Sequence, residues 1–547
     1  MELSLADDSQ PVPLPPTPTK TPIKRVVGHV GSVASATLPV NGLAGHISIN
    51  KPTVKNITLS KAAVDINRFP GVCGDDVGGL LSPGSTFSTA HLPDTKWTLF
   101  ESVVFSFWDN ILGPKIQHVW SNKNYCSDYV SMLSDISNHT LNGEICRDPS
   151  DSSIDTKFYH MNDRGYIVTA FIFTAIGTTG PSIHSLALVM SQEQLETYLK
   201  YHDMCTAFLT RHIAKLRILI SGPQGKSKED AMADFSLYVH ELVEVLNSLG
   251  ESGVPSTICL SSTALSMIGA NNKSDLEESF LKRVIASHLM TCGHTVVKDV
   301  TADGINRLIS SLALFATPQQ RCCSRYVQED QGWKYQPYLV IQGILMIGGL
   351  KETPDRQHLS ISEIFSAPCP TTVVNVPKRE VLQTPPCHEH RVRKHDMLKT
   401  ELTCLWLAKE QPGGGLYPSR LLSHRIHPKS RIFQAVNYPE SLVSDLFRQL
   451  HKLGPDNGIK ERIHQFIRQL EMRALALIKF VEADTHKGNF FLKMSLKKLK
   501  QHLGLTLEGD FKIVLAMAEK LKPGMYGFVL GDPKIEKDEI QNILENF

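Results

Sequence analysis

The sequence lacks any run of about 18 consecutive apolar residues, and this absence predicts that no helix of the chain spans a membrane. The acidic start, Met1-Glu2-Leu3-Ser4-Leu5-Ala6-Asp7-Asp8, also lacks the basic and apolar regions of a targeting segment. Paired cysteine motifs are lacking too, since the 11 cysteines are odd in number and irregularly spaced. Reduced thiols in a cytosolic protein are therefore expected.

The sequence also lacks an excess of basic or of acidic residues. The 57 basic and 55 acidic residues leave a net charge of +2, which provides no bulk attraction for nucleic acid. Hydrophobic residues make up 41% and charged residues 20%, values that are typical of a globular protein. A length of 547 residues exceeds one ordinary core, so two or three domains are expected.

Aromatic residues are scarce in residues 1–95, which contain only Phe69 and Phe87. The same segment holds 11 of the 31 prolines. Such a segment offers too little apolar surface to offset the entropy lost when its backbone is ordered. A disordered arm over residues 1–95 is therefore predicted.

Residues 97–221 are predicted to form an antiparallel sheet with helices on it. Apolar runs separated by turn residues indicate five strands. A helix over 128–141 and a second helix, from an N-cap at Ser191 to about Leu219, complete a layer of the α+β class. The five predicted strands are 103–107, 116–120, 158–161, 166–173 and 184–190.

A polar stretch over 222–233 is predicted to link this layer to a second module over 234–532. The second module mixes helical with strand-like segments, and residues 436–522 are predicted to be helical from the spacing of their apolar residues. Residues 533–547 are assigned to a tail. The chain as a whole is therefore predicted to be a multidomain protein of the α+β and α/β classes.

Two motifs suggest chemistry that their spacing does not support. Gly222-Pro223-Gln224-Gly225-Lys226-Ser227 resembles a phosphate-binding loop, but two residues separate its glycines where the loop needs four. Cys387-His388-Glu389-His390, Cys292-Gly293-His294 and Cys322-Cys323 carry zinc-type ligands without the paired knuckles of a structural zinc site. Thiols and imidazoles packed in a core are the favoured interpretation, and neither a metal nor a cofactor is expected.

Several segments, in order along residues 98–532, resemble the chromosome 9 open reading frame 72 family of longin–DENN proteins. The most specific is Phe105-Ser106-Phe107-Trp108-Asp109-Asn110-Ile111-Leu112-Gly113-Pro114-Lys115. The others are Asn138-His139-Thr140-Leu141-Asn142-Gly143-Glu144-Ile145, Ser287-His288-Leu289 with Thr291-Cys292-Gly293, Pro385-Pro386-Cys387-His388-Glu389-His390, Glu508-Gly509-Asp510 and Ala516-Met517-Ala518-Glu519-Lys520-Leu521-Lys522-Pro523-Gly524.

The resemblance implies an N-terminal longin domain followed by a DENN module that ends in a helical bundle. It also implies a complex with a second longin–DENN protein, the Smith–Magenis region candidate, and a WD-repeat subunit. The implied targets are small GTPases of the Arf and Rab groups. The implied setting is the cytoplasm, with recruitment to lysosomal, endosomal or autophagic membranes and with the nucleus as an additional location.

The residues that a hydrolysis-stimulating subunit would need are absent. An arginine inserted against the transferring phosphate accelerates GTP hydrolysis by about 10³–10⁵. In catalytic relatives it lies in the longin loop that matches Ala175–Ser182, which here contains neither Arg nor Lys. Arg164, in the preceding turn, is interpreted as a hairpin-tip surface residue. The resemblance thus predicts a non-catalytic subunit, not itself an enzyme, whose partner supplies the arginine. A Rab guanine-nucleotide exchange factor is the alternative, because exchange needs no arginine.

The resemblance also suggests where a GTPase binds. Trp108 and Asp109 lie where the first strand enters its turn, and Ile145 follows the first helix. An exposed aromatic ring beside a carboxylate suits a contact surface, because the ring buries area and the charge orients the partner. The alternative is architectural, with Trp108 covering the core and Asp109 shaping the turn through an Asx-type hydrogen bond.

Overall fold

The chain forms two β-sheets with helices packed against them, an α+β architecture. The computed structural model describes residues 87–94, 99–123, 126–144, 146–148, 153–177, 180–221, 228–252, 267–268, 277–328, 334–346, 361–410, 433–437, 441–453, 458–488 and 494–530. The strands of the first sheet are β1 (Ser88–Ala90), β2 (Ser102–Asp109), β3 (Gly113–Ser121), β4 (Ile154–Met161), β5 (Tyr166–Gly177) and β6 (Gly180–Ser191). The first three helices are α1 (Ser127–Leu141), α2 (Leu195–Ile220) and α3 (Lys228–Ser252).

The first sheet has the strand order β1-β3-β2-β6-β5-β4. Only β1 pairs in parallel, with β3, and the other neighbours are antiparallel. Successive side chains of a strand point to opposite faces, so Val103 and Phe105 pack with α2 and α3 while Val104 packs with α1. The five predicted strands and both predicted helices are confirmed, with ends that differ by a few residues. The predicted N-cap at Ser191 is wrong, because α2 begins at Leu195 after a short 3-10 turn and the Ser191 side chain makes no capping hydrogen bond.

Strand β1 lies inside the segment predicted to be a disordered arm, so that prediction is wrong for residues 87–94. Ala90 and Leu92 are buried in the core shared with α2 and α3. The Ser88 hydroxyl lies 2.6 Å from Nδ1 of His118 on β3. Aromatic scarcity did not reveal this short strand, because three residues that pair with a sheet edge need little apolar surface. The rest of the arm, residues 1–86 and 95, lies outside the described residues.

We expect a chain lacking residues 1–95 to unfold at a lower urea concentration than a chain lacking residues 1–86. The longer truncation removes β1 together with Leu92, and a fully buried leucine contributes about 1.5–3 kcal/mol. Equal unfolding midpoints for the two truncations would show that β1 contributes nothing to stability.

Helix α3 corrects the predicted linker over 222–233 and the boundary at residue 234. Residues 228–233 are already helical, and residues 222–227 lie outside the described residues. Phe235 and Leu242 of α3 are buried against the first sheet. The Trp120 indole N–H donates to the Ser236 hydroxyl at 2.7 Å. A helix assigned to the second module therefore completes the core of the first.

The second sheet has the order β11-β10-β9-β7-β8, in which β8, β7 and β9 run parallel. Its strands are β7 (Thr295–Asp299), β8 (Ile341–Leu345), β9 (Thr372–Asn375), β10 (Glu380–Gln383) and β11 (Gln434–Ala435). Helix α4 (Glu278–Met290) precedes β7, and the helices between the strands are α5 (Ala302–Ala313), α6 (Pro318–Cys322), α7 (Ile361–Ser366) and α8 (Cys387–Glu410). Parallel strands with crossover helices account for the mixture of helical and strand-like segments predicted for the second module.

Helices follow β11, as predicted for residues 436–522. They are α9 (Ser441–Leu450), α10 (Ile459–Thr485), α11 (Leu496–His502), α12 (Glu508–Leu521) and α13 (Met525–Leu530). Apolar periodicity identified α10 because Ile463, Leu470 and Leu477 recur on one buried face. The tail over 533–547 lies outside the described residues. None of the helices that the structure describes has the length and apolar character needed to cross a membrane.

Helix α8 joins the two sheets through a buried ion pair. The Arg211 guanidinium of α2 donates to Oε2 of Glu401 at 2.6 Å, and both side chains are almost fully buried. Lys215, one turn further along α2, lies 3.5 Å from the same oxygen. Burial lowers the pKa of Lys215, and the Glu401 charge opposes that shift. Two cations of the first module thus converge on one carboxylate of the second.

Candidate functional site

The β2–β3 hairpin carries the predicted contact residues Trp108 and Asp109. One Asp109 oxygen accepts the backbone N–H groups of Ile111 at 2.9 Å and Leu112 at 3.1 Å. The other oxygen lies 3.0 Å from Nζ of Lys115. These hydrogen bonds, with the Ile111 N–H as the largest cause, lower the pKa of Asp109 to about 2. The ionised carboxylate therefore holds the turn closed at neutral pH, as in an Asx turn.

The turn presents two aliphatic side chains to solvent. Ile111 is 91% exposed and Leu112 is 68% exposed. Gly113 follows with a φ of +78°, a left-handed conformation that favours glycine. Trp108 is half-buried and pairs with Pro114 across the hairpin, so part of its side chain contacts solvent. The geometry thus gives Asp109 an architectural role and leaves Ile111 and Leu112 as the outermost apolar groups.

The β5–β6 hairpin ends beside this turn. The register pairs Phe107 of β2 with His184 of β6, and His184 with Phe173 of β5, so both hairpin tips lie at the same end of the sheet. Ile176, at the β5–β6 tip, is 64% exposed. We call Ile111, Leu112 and Ile176 the apolar tip. Beneath it, the buried His184 ring stacks on Phe105 and on Phe173, which fixes the strands that support both hairpins.

Ile145, the third predicted contact residue, lies outside the described residues. Its neighbour Glu144 is buried and forms ion pairs with Arg147 and Lys157. Ile154, the first residue of β4, pairs with Phe173, so the connection from α1 reaches β4 at the same end of the sheet as the apolar tip. The start of β4 therefore lies at the end of the sheet that carries Trp108.

The loop predicted to lack a catalytic arginine is the β5–β6 hairpin itself. Ala175–Gly177 and Gly180–Ser182 are described, and the two threonines between them lie outside the described residues. Arg164 lies at the opposite end of the sheet, in the turn between β4 and β5, and its guanidinium is 2.7 Å from a carboxylate oxygen of Asp135. Arg164 is therefore a surface residue of a hairpin tip, as predicted.

The phosphate-loop motif over residues 222–227 lies outside the described residues, so the prediction made for it stays a prediction. Across the described ranges, no three or more His, Cys, Asp or Glu side chains are arranged to hold a metal ion. The His390 ring donates to the Ala367 carbonyl at 2.9 Å within a buried environment. Cys323 donates to the Lys200 carbonyl, and Cys292 and Cys387 contact each other.

Comparison with known proteins decides the family. The model of the C9orf72-like protein family matches residues 135–390. The human protein named guanine nucleotide exchange factor C9orf72 is 33% identical over 472 residues, which cover 82% of this chain and 95% of the human protein. The chain belongs to the C9orf72-like family. The mouse and rat homologues of that exchange factor match with the same identity and coverage.

This membership confirms the family resemblance and corrects one expectation. The chain was expected to be a non-catalytic subunit rather than an enzyme. The C9orf72 relatives carry the name of guanine nucleotide exchange factor, which denotes a catalytic activity, so that expectation is wrong. The arginine-free loop misled the prediction because it bears on hydrolysis alone, whereas exchange requires no arginine.

Sequence reasoning also missed the exposure of Ile111 and Leu112. A signal was present, because turns between strands are usually built from polar residues, whereas this turn places Ile-Leu between Asp109-Asn110 and Gly113.

Proposed function

We propose that this chain is a guanine-nucleotide exchange factor for a small GTPase of the Rab or Arf group. The observation that carries the proposal is the 33% identity to exchange factors over nearly their whole length. We further propose that residues 87–221 with α3 form a longin module and that the remainder forms a DENN module. The six-stranded sheet flanked by α1 and α2, followed by a second sheet with crossover helices, supports this division.

The apolar tip and Trp108 form the proposed GTPase contact. An exchange factor has to bind the switch region of the GTPase and hold the nucleotide pocket open, and rigid apolar anchors lose little entropy on binding. The Asp109 hydrogen bonds fix the turn before a partner arrives. The paired charges of Asp109 and Lys115 largely neutralise each other, which suits an apolar contact.

A second candidate function is stimulation of GTP hydrolysis by a complex whose partner subunit supplies the arginine. The absence of Arg and Lys from residues 175–182 favours this candidate over hydrolysis stimulated by the chain alone. The second longin–DENN protein and the WD-repeat subunit implied by the resemblance are the proposed partners. Lysosomal, endosomal or autophagic membranes are the proposed places of action.

One pair of assays separates the two candidates. We expect the purified chain to accelerate the release of fluorescent GDP from its GTPase by about tenfold or more, which corresponds to a barrier lowered by about 1.4 kcal/mol. The same chain should leave single-turnover GTP hydrolysis unchanged, because residues 175–182 contain no arginine to place against the phosphate. Each assay is run over a panel of Rab and Arf proteins, with and without the two partner subunits.

The outcomes are distinguishable. Release that stays at its intrinsic rate for every GTPase, with and without partners, would overturn the exchange proposal. Hydrolysis stimulated a hundredfold by the chain alone would overturn the argument from the arginine-free loop. Stimulation of hydrolysis only in the presence of the partners would support the second candidate.

A further inference from the structure

Three thiols meet where the second sheet joins α8. Cys292 lies in the turn between α4 and β7, Cys369 precedes β9, and Cys387 is the first residue of α8. The sulfur atoms of Cys292 and Cys387, 95 residues apart in the chain, are 3.9 Å apart. Cys369 lies close enough to Cys292 for their interaction to raise the pKa of the Cys369 thiol. Separate elements of the fold therefore deliver these side chains to one place.

The surroundings hold Cys292 in place. Its backbone has a φ of +56°, and its carbonyl accepts the side-chain N–H of Gln320 at 2.8 Å. Its sulfur lies 3.5 Å from the Ala516 carbonyl of α12. Because the described residues contain no group arranged for a metal, the chemistry open to two thiols in contact is the formation of a sulfur–sulfur bond.

We propose that Cys292 and Cys387 are a site of reversible oxidation at which a peroxide converts the two thiols to a disulfide. A disulfide has an S–S distance of about 2.05 Å, so the sulfurs approach each other by roughly 1.9 Å. Cys387, which is partly exposed, meets the oxidant, whereas Cys292 is buried. The reaction thus begins at Cys387 and is completed by Cys292.

The reaction balances in two steps. The Cys387 thiolate attacks one peroxide oxygen, the O–O bond breaks, and the departing hydroxide takes up a proton to give water and a sulfenic acid. The Cys292 sulfur then attacks the Cys387 sulfur, the S–O bond breaks, and a second water leaves with the Cys292 proton. The peroxide gains two electrons, which the two thiols lose. A reducing thiol reverses the bond by exchange.

Cys369 is the other thiol close to Cys292. The interaction with Cys292 and burial raise the pKa of Cys369. The interaction with Cys369 lowers the pKa of Cys292, but the interaction with Cys387 and burial raise it well above its usual value. Acidity therefore does not distinguish these two thiols, and the assignment rests on geometry, because the sulfur atoms of Cys292 and Cys387 are in contact at 3.9 Å. Cys387 is therefore assigned as the partner of Cys292, and Cys369 serves as a matched control.

The Cys292–Cys387 disulfide would restrain α8, the helix that connects the two modules. It ties the first residue of α8 to the turn before β7, while Glu401, further along α8, contacts Arg211 of the first module. Oxidation should therefore restrain α8 and raise the melting temperature of the full chain by several degrees. The restraint closes a long loop, the situation in which a cross-link reduces the entropy of the unfolded chain most.

The test treats the reduced full-length chain with increasing hydrogen peroxide, blocks the remaining thiols with N-ethylmaleimide, and maps peptides without reduction. We expect a peptide containing Cys292 linked to one containing Cys387, and loss of the link after dithiothreitol. Cys387→Ser should abolish this link, whereas Cys369→Ser should retain it. The exposed thiols of Cys126 and Cys146 report how much oxidant reached the protein.

If a variant fails to fold, peptide mapping of the unsubstituted chain still tests the proposal. A Cys292–Cys369 link, or oxidation of Cys126 and Cys146 with both Cys292 and Cys387 still free, would overturn the proposal. One zinc ion per chain that protects these thiols from N-ethylmaleimide would overturn it as well. A melting temperature that rises on oxidation in the unsubstituted chain but not in Cys292→Ser would support it.

Discussion

Replacement of Glu401 by alanine should lower the free energy of unfolding by about 3–5 kcal/mol, because removing one partner of a buried ion pair leaves the other buried and uncompensated. Glu401 is the carboxylate on which Arg211 and Lys215 of α2 converge, and its side chain is 11% exposed. Burial already disfavours the charged form of Lys215. Denaturant unfolding followed by circular dichroism measures the loss.

An exposed pair provides the control. Arg448 and Asp445 form an ion pair on the surface of α9, with side chains 69% and 48% exposed. Asp445→Ala should therefore cost about 1 kcal/mol or less. Glu401→Gln keeps an oxygen acceptor for Arg211. Its loss in free energy of unfolding should therefore lie between the losses for Glu401→Ala and Asp445→Ala. Equal losses for Glu401→Ala and Asp445→Ala would mean that α8 does not depend on this buried contact.

Substitution at the apolar tip should produce the largest change in activity. The double substitution of Ile111 and Leu112 by serine removes two protruding anchors and should raise the chain concentration needed for half-maximal nucleotide release by about 30-fold, equivalent to about 2 kcal/mol. Trp108→Ala should weaken release by a similar factor. Because Trp108 is half-buried, its variant is also checked for a changed melting temperature.

The control is an exposed aliphatic residue elsewhere. Leu199 on α2 is 58% exposed, and Leu199→Ser should leave release unchanged. Release at the unsubstituted rate from the tip variant, with the fold intact, would show that the GTPase binds another surface. That result would leave the exchange proposal standing, because the unsubstituted chain tests it independently.

Substitutions at Asp109 separate its two roles. Asp109→Asn keeps an oxygen for the N–H groups of Ile111 and Leu112 but removes the charge opposite Lys115. It should retain most of the activity. Asp109→Lys removes both the oxygen acceptor and the negative charge. It should reduce nucleotide release as strongly as the double substitution of Ile111 and Leu112 by serine. Equal, severe losses for both variants would indicate that the GTPase reads the charge itself.

Features that depend on a single helix, strand or turn could be predicted from the sequence. Strands β2 to β6 of the first sheet, the helix ending near residue 220 and the apolar face of α10 all follow from side-chain periodicity, which depends only on local backbone geometry. The turn at Asp109 and the family resemblance could also be predicted from the sequence, because both depend on contiguous residues. The arginine-free loop bears on GTP hydrolysis alone, so it could not exclude an exchange factor.

Contacts between distant segments were decided by the tertiary structure. Periodicity could not show that α3 completes the core of the first sheet, or that the three-residue β1 pairs with β3. Nor could spacing bring Cys292 beside Cys387 or Arg211 beside Glu401, which are 95 and 190 residues apart. The sequence of a segment shows which of its side chains can be buried. Which other segment those side chains pack against depends on how all the segments fit together in one core.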